Sequence, residues 1–263
     1  MSRRGRGPSS VRGALISVSS VALFVALWHL GGRFGLISAL IMPPPEEIWS
    51  TTLDLLEKGY HQTPLWRHVG VSLARALSAF ALAVAAGLPL GLAMGLFPGL
   101  SSALEPFVQF FRPLPKIALI PLAILWLGIG ETSKIFLIFL STLFTVVVGS
   151  AAAVKQVGQS KLRLGAALGA NYRQLVWRII LPASLPEIFT SVRLAVGVGW
   201  TTLIASEMVA ANSGMGWMVM NASSYMRTDI VMLGIILLGL AGYLLDLALV
   251  AAERLAVPWA GRE

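Results

Sequence analysis

Six ionisable side chains fall inside runs that are otherwise apolar: Arg75, Arg112, Lys116, Arg193, Glu207 and Asp246. A charge in hydrocarbon costs several kcal/mol unless it meets protein or water, so each needs a partner, a wet cavity or an interface. Their chemistry is charge compensation or contact with a polar solute. Arg112 and Lys116 have stems long enough to snorkel to an interface. Arg193, shortly beyond a basic loop, reads as a structural group for helix ends or lipid phosphate. Glu207 reads as half of a structural ion pair, and Asp246, near the inner surface, as the partner of something basic. The carboxylates make no row of the kind that relays protons through a coupled pump. Arg75, Pro115, Lys116, Pro121, Arg193, Glu207, Met208 and Met215 are the candidates for a translocation path or gate.

Covalent or acid–base chemistry finds no support. It would need a convergent constellation, such as a nucleophile beside a base or two paired carboxylates. His29 is the one histidine inside an apolar span, and the sequence holds no G-x-S-x-G, H-E-x-x-H or Walker A pattern. His61 and His68 lie seven apart without a nearby cysteine and read as interfacial side chains, not metal ligands. With no cysteine, there is neither a disulfide nor a thiolate site. The expectation is a non-catalytic chain without metal or cofactor of its own; any uphill transport draws its energy from elsewhere.

The elements that position these residues are membrane helices. Of 263 residues 56% are hydrophobic and only 12% charged, with mean hydropathy +0.79, which marks an all-α integral membrane protein. A formal charge of +8 does not imply nucleic acid, because the basic residues sit at a tail and between apolar runs. Against roughly 20 residues per crossing, six spans are expected, near 14–31, 70–97, 103–128, 134–154, 187–211 and 230–252. The third is broken at Arg112-Pro113-Leu114-Pro115-Lys116 and is expected to bend beside protein or water. No internal repeat appears, which weighs against the duplicated halves of secondary transporters.

Counting Lys and Arg outside the spans orients the chain. Arg3, Arg4, Arg6, Arg12, Lys155, Lys161, Arg163, Arg173, Arg178, Arg254 and Arg262 make eleven on one side, against Arg33, Lys58, Arg67, Lys134 and Arg227 on the other. By the positive-inside rule both termini and the central loop are cytoplasmic. The first span is retained rather than cleaved, since no A-x-A site closes it. The expected organisation is a basic cytoplasmic tail over 1–13, a transmembrane domain over 14–254 and a cytoplasmic tail over 255–263.

Within that domain, residues 43–68 form an interfacial segment on the outer face, a short helix entered through Pro43, Pro44 and Pro45. The second span carries small residues every fourth position: Ala79, Ala83, Gly87, Gly91, Gly95 and then Gly99. Gly87, Gly91 and Gly95 therefore predict close helix packing, against this chain or a second copy. Met208, Met215, Met218, Met220 and Met226 serve either as gap-filling core or as a moving outer gate.

Residues 155–186 form a basic amphipathic loop. Asn171 and Gln174 mark a helix start and Pro182 a stop, after a break at Gly169. Such a loop is a docking element.

Gly169, the nine residues Ala170 to Arg178, then Ile179-Ile180-Leu181-Pro182 resembles the G-x9-I-x-L-P loop of permease subunits of bacterial ATP-binding-cassette importers. The likeness continues through Ala183-Ser184-Leu185-Pro186 and Ala205-Ser206-Glu207-Met208. Upstream, Pro113 to Leu122 and Trp126-Leu127-Gly128-Ile129-Gly130 look like the nitrate, sulfonate and taurine branch, and Pro258-Trp259-Ala260-Gly261 resembles the Pro-Trp-x-Gly end of taurine permeases. The resemblance covers about residues 65–261. It implies a type I ABC importer permease fold in the bacterial inner membrane, working with a second copy of itself, two cytoplasmic ATP-binding subunits that hold ATP and Mg, and a periplasmic solute-binding protein. It also implies a small organic anion as cargo, taurine or another aliphatic sulfonate, with nitrate or bicarbonate as the alternative within the family; a self-contained secondary transporter is the alternative outside it. Arg163, Gly165, Gly169, Ala170, Asn171, Arg173, Leu175, Val176, Ile179, Leu181 and Pro182 would couple to the ATPases, with Leu175, Val176, Ile179 and Ile180 turned to an ATPase groove. Where the family loop opens with Glu-Ala-Ala, this chain has Arg163, Leu164 and Gly165.

Overall fold

The computed structural model describes residues 8–36 and 38–259. Arg3, Arg4 and Arg6 of the basic tail, Ala260-Gly261 of the C-terminal motif and Arg262 lie outside the described residues. The chain divides into two compact units: Met1–Leu65 with Met218–Ile236, and Trp66–Trp217 with Leu237–Glu263. Among the described residues regular structure is helical, apart from an isolated bridge between Tyr60 and Thr63.

In the first unit, α1 (Pro8–Arg33) exposes Leu15, Ile16, Val18, Phe24 and Leu27, as a helix bathed by lipid does. Pro44 then caps α2 (Pro45–Lys58), which has Pro45 at its first position, Glu46 and Glu47 in its first turn and Lys58 in its last. That order suits both the missing proline donor and the helix dipole. Ile48, Thr51 and Leu55 share its buried face, and Thr51 donates to Asp229 at 2.8 Å. Leu53 and Leu56 face outward. Burial raises the Tyr60 phenol above its ordinary pKa, and Tyr60 donates to Asn221 at 2.6 Å. The hydrogen bond to Asp229 raises that of Arg227.

The second unit holds most of α3 (Leu65–Leu96), which starts five residues earlier than the span expected at 70. Residues 65–68 are thus the first turn of that helix. Helix α6 (Glu131–Lys155) lies along the α3 ridge. A methyl group at Gly91 would stand 2.6 Å from the Val147 carbonyl oxygen, and one at Gly95 would stand 2.6 Å from Val154 Cβ. At Gly87 it would meet Val146 and Leu143. The partner of the ridge is thus in the same chain. Gly99 has nothing near it and is no part of that contact. It lies in α4 (Pro98–Phe111), which is followed by a 3-10 turn (Lys116–Leu119) and α5 (Ile120–Leu127).

These two arms meet at a bend of 86°, where the apolar pattern predicts one span from 103 to 128. Alone, α4 is about 21 Å long, short of a hydrocarbon core of about 30 Å. The break has a physical cause: Pro113 and Pro115 have no N–H to give, so the helical ladder stops and the carbonyls around the bend take another partner. Lys116 supplies it, donating to Phe111, Arg112 and Leu114 oxygens at 2.6, 3.0 and 2.8 Å. It is buried, so it does not snorkel, whereas Arg112 is exposed.

Beyond α6 come α7 (Gln159–Ala167), α8 (Tyr172–Leu175), a π-helical turn (Val176–Ile180) and α9 (Leu181–Ala210). The sequence reads Pro182 as a stop, yet the helix runs on through it. The wide turn, in which Leu181 N–H bonds Val176 oxygen, precedes the proline and takes up the break in the ladder. Helix α10 (Met215–Ser224) begins in the second unit, and α11 (Thr228–Ala256) ends there. Among the described residues five helices are long and apolar enough to cross a membrane, six spans if the bent pair counts as one.

Candidate functional site

Gly169 organises the basic loop. At φ +80° it takes the left-handed conformation that ends a helix without cost to glycine. Its N–H bonds Ala166 oxygen and the Ala170 N–H bonds Gly165 oxygen, both at 3.0 Å, which is a Schellman motif closing α7. One residue later the next helix opens: Asn171 Oδ1 accepts Gln174 N–H and Gln174 Oε1 accepts Asn171 N–H, both at 2.9 Å. Cap against cap makes a tight helix–turn–helix.

Arg173 and Arg178, which the resemblance places at the rims of an ATPase groove, are exposed, but the apolar row expected to fill that groove turns toward its own chain. Val176 is buried, and Leu175, Ile179 and Ile180 are half-buried. A Cβ at Gly165 would strike the ends of Ile179 and Leu175, so α7 crosses close over them. The outward surface is instead Leu164, Leu168, Tyr172, Arg173, Trp177 and Arg178, along with Arg163. Helical spacing alone does not say which apolar row the neighbouring helix covers. Gly165 is the residue that lets α7 approach.

The second constellation is buried and charged. Arg75 on α3 donates from Nη1 to Glu207 on α9 at 2.7 Å and to the Ser213 carbonyl at 2.7 Å. Its Nε and Nη2 reach the two carboxylate oxygens of Glu131 at the start of α6, at 2.5 and 2.6 Å. Lys134 Nζ adds 3.0 Å to Glu131. Glu207, with no exposed surface, also accepts from Ser72 Oγ at 2.8 Å and from Gly216 N–H at 2.9 Å. Ser72 in turn accepts Met215 N–H at 2.8 Å. Gly214, at φ +122°, leaves room that any Cβ would deny, since it would stand 2.5 Å from the Glu207 carboxyl carbon. The network ties α3, α6, α9 and the 211–214 turn together, with every charge answered.

Arg75, Glu207 and Met215 are therefore brought together. Met215 is fully buried as core, whereas Met208 is exposed. Lys116 and Pro115 belong to the bend, and Pro121 stands in the first turn of α5. Arg193 is elsewhere, in a two-pronged pair with Asp246 at 2.9 and 3.0 Å. That is the basic partner Asp246 required. His68, expected at an interface, is wholly buried: its ring stacks on Trp217 at 5.6 Å and Nδ1 accepts Gly214 N–H at 3.2 Å. Sequence reasoning missed Ser72, Glu131 and Gly214. A signal was available for the first, because His68, Ser72 and Arg75 recur at helical spacing on one face of an apolar helix.

Residues 87–259 match the binding-protein-dependent transport system inner membrane component family. The chain belongs to that family, as a multi-pass inner membrane permease subunit. It is 40% identical over 251 residues to the taurine transport system permease protein TauC of Escherichia coli K12, covering 95% of this chain and 91% of that protein. It is 38% identical over 235 residues to the putative aliphatic sulfonates transport permease protein SsuC of the same organism, covering 89% and 88%. The bicarbonate transport system permease protein CmpB of Synechocystis is 30% identical over 244 residues, covering 89% and 86%. In fold, the chain is similar to one from the MetNI methionine ABC transporter in an inward facing conformation, with TM-score 0.55, 22% identity, and 70% and 95% of the two chains covered. The fold is that of type I ABC importer permeases.

Proposed function

We propose that two copies of this chain form the path through which a small organic anion, taurine or another aliphatic sulfonate, crosses the inner membrane. A periplasmic binding protein delivers the anion, and two cytoplasmic ATPases, holding ATP and Mg, drive the cycle. The observation that carries the reading is the doubly capped turn at Gly169, which presents Tyr172, Arg173, Trp177 and Arg178 outward between two membrane helices. A surface of aromatic and arginine side chains on a rigid short helix suits insertion into a partner's groove. ATPase closure would push the two copies of this element together and rock the spans between inward-open and outward-open states.

The sulfonate cargo is supported by the taurine and sulfonate permeases among the relatives; the bicarbonate permease among them favours a second reading, a smaller inorganic anion. The cations inside the spans do not decide between these. Arg75, Arg193 and Lys116 are each engaged by acceptors of this chain, which supports selectivity residing in the binding protein.

The test is ATP-driven uptake of labelled taurine, and separately bicarbonate, into proteoliposomes holding the whole complex. Gly169→Pro forces φ to about −65°, and deletion of 169–181 removes the element. Both are expected to abolish uptake and ATPase co-purification while membrane insertion persists. Normal assembly by the deletion variant would refute the docking role.

A further inference from the structure

Pro182 and Pro186 stand four residues apart in α9. In an α-helix the carbonyl of one residue accepts the N–H four residues on, and Pro186 has none to give. The Pro182 oxygen is therefore without its helical donor. The indole N–H of Trp259 supplies one, at 3.2 Å. Trp259 reaches that point because α11 ends at Ala256 and Val257 turns inward, 2% exposed, with its N–H on Glu253 oxygen at 2.8 Å. Pro258 then cannot continue the helix. The Trp259 ring lines a cleft of about 480 Å³ with Leu164 and Leu168 of the α7 end and Ile179 of the π turn.

This contact sits at the joint through which any push on α8 must travel. Between Tyr172 and the straight part of α9 the backbone ladder is interrupted by the π turn and again by the Pro182–Pro186 pair. Such interruptions are where helices bend. We propose that Val257–Trp259 is a strap and Trp259 a positioning residue. It ties the end of α11 to the inner end of α9 and stiffens that joint, so that displacement of the α7–α8 turn is passed to the spans instead of being absorbed. The inference rests on the coupling role proposed above. A tryptophan serving only as an interfacial anchor would depend on ring and depth, not on an N–H aimed at one carbonyl.

The test uses the full permease with its ATPases in lipid nanodiscs and proteoliposomes. Trp259→Phe keeps the ring and removes the donor; adding Pro186→Ala returns a backbone N–H to the Pro182 oxygen. Trp259→Phe is expected to raise hydrogen exchange of amides in 175–187 by about fivefold, the worth of one net hydrogen bond. It should also lower taurine imported per ATP hydrolysed, with ATPase co-purification unchanged. Pro186→Ala in the Trp259→Phe background should restore both readouts. Unchanged exchange in Trp259→Phe and Trp259→Ala overturns the strap, and so does a loss that Pro186→Ala does not rescue. If exchange responds and is rescued, yet ATPases still bind after deletion of 169–181, the strap stands and the coupling role fails.

Discussion

Arg75 answers two carboxylates at once, and their surroundings differ. Glu131 is 57% exposed at its side chain, whereas Glu207 is sealed. Removing Arg75 would leave the buried Glu207 carboxylate with Ser72 and Gly216 as its donors among the described residues, and stranding a buried partner costs about 3–5 kcal/mol. Arg75→Met is therefore expected to lower the thermal midpoint of the purified permease sharply. Arg75→Met with Glu207→Gln should recover most of the loss, because glutamine is neutral and still accepts the Gly216 N–H. A double variant no more stable than Arg75→Met would show that the buried charge is not the cause. The sequence alone points to Arg75 and Glu207, because a charge in an apolar run is conspicuous. Glu131 escaped because it opens its helix, at the edge of a polar turn where a carboxylate is unremarkable. Lys134, counted there as a loop charge, is likewise buried against Glu131.

Among the elements, the bent pair α4–α5 shows what pattern reading can and cannot supply. Its two prolines announce a break; nothing in their spacing announces that a lysine closes it. Lys116 spends its three ammonium donors on three carbonyls and lies 5.8 Å from the Phe144 ring centroid. Lys116→Met keeps the stem and removes the donors, and is expected to destabilise the permease by about 2–4 kcal/mol, read as denaturant or thermal unfolding in nanodiscs. A midpoint matching the wild type would show that water or lipid satisfies those carbonyls equally well. The α3 ridge was legible because small residues at every fourth position of a lipid-soluble helix open a groove that only another backbone fills well. Continuation of the helix through Pro182 was not, since it depends on a wide turn that no residue type signals.

For the whole molecule, the asymmetry of charge sets an orientation that can be tested directly because the chain holds no cysteine. Single cysteines at exposed positions are therefore clean reporters. Leu168, 80% exposed, lies in the turn between α7 and α8, and Glu57 is exposed on α2. Along the chain α3, the bent pair and α6 make three crossings between them if the bent pair spans, and α3 and α6 make two if it re-enters. They must then lie on opposite faces if the bent pair spans, and on the same face if it re-enters. If both termini and the basic loop are cytoplasmic, as the positive-inside rule predicts, Glu57→Cys reacts with an impermeant maleimide in spheroplasts, and Leu168→Cys only after the membrane is opened. Labelling of Leu168→Cys from outside would reverse the orientation and remove the α7–α8 turn from reach of any cytoplasmic motor. Labelling of both from outside would identify the pair as a re-entrant loop, with Lys116 at its apex.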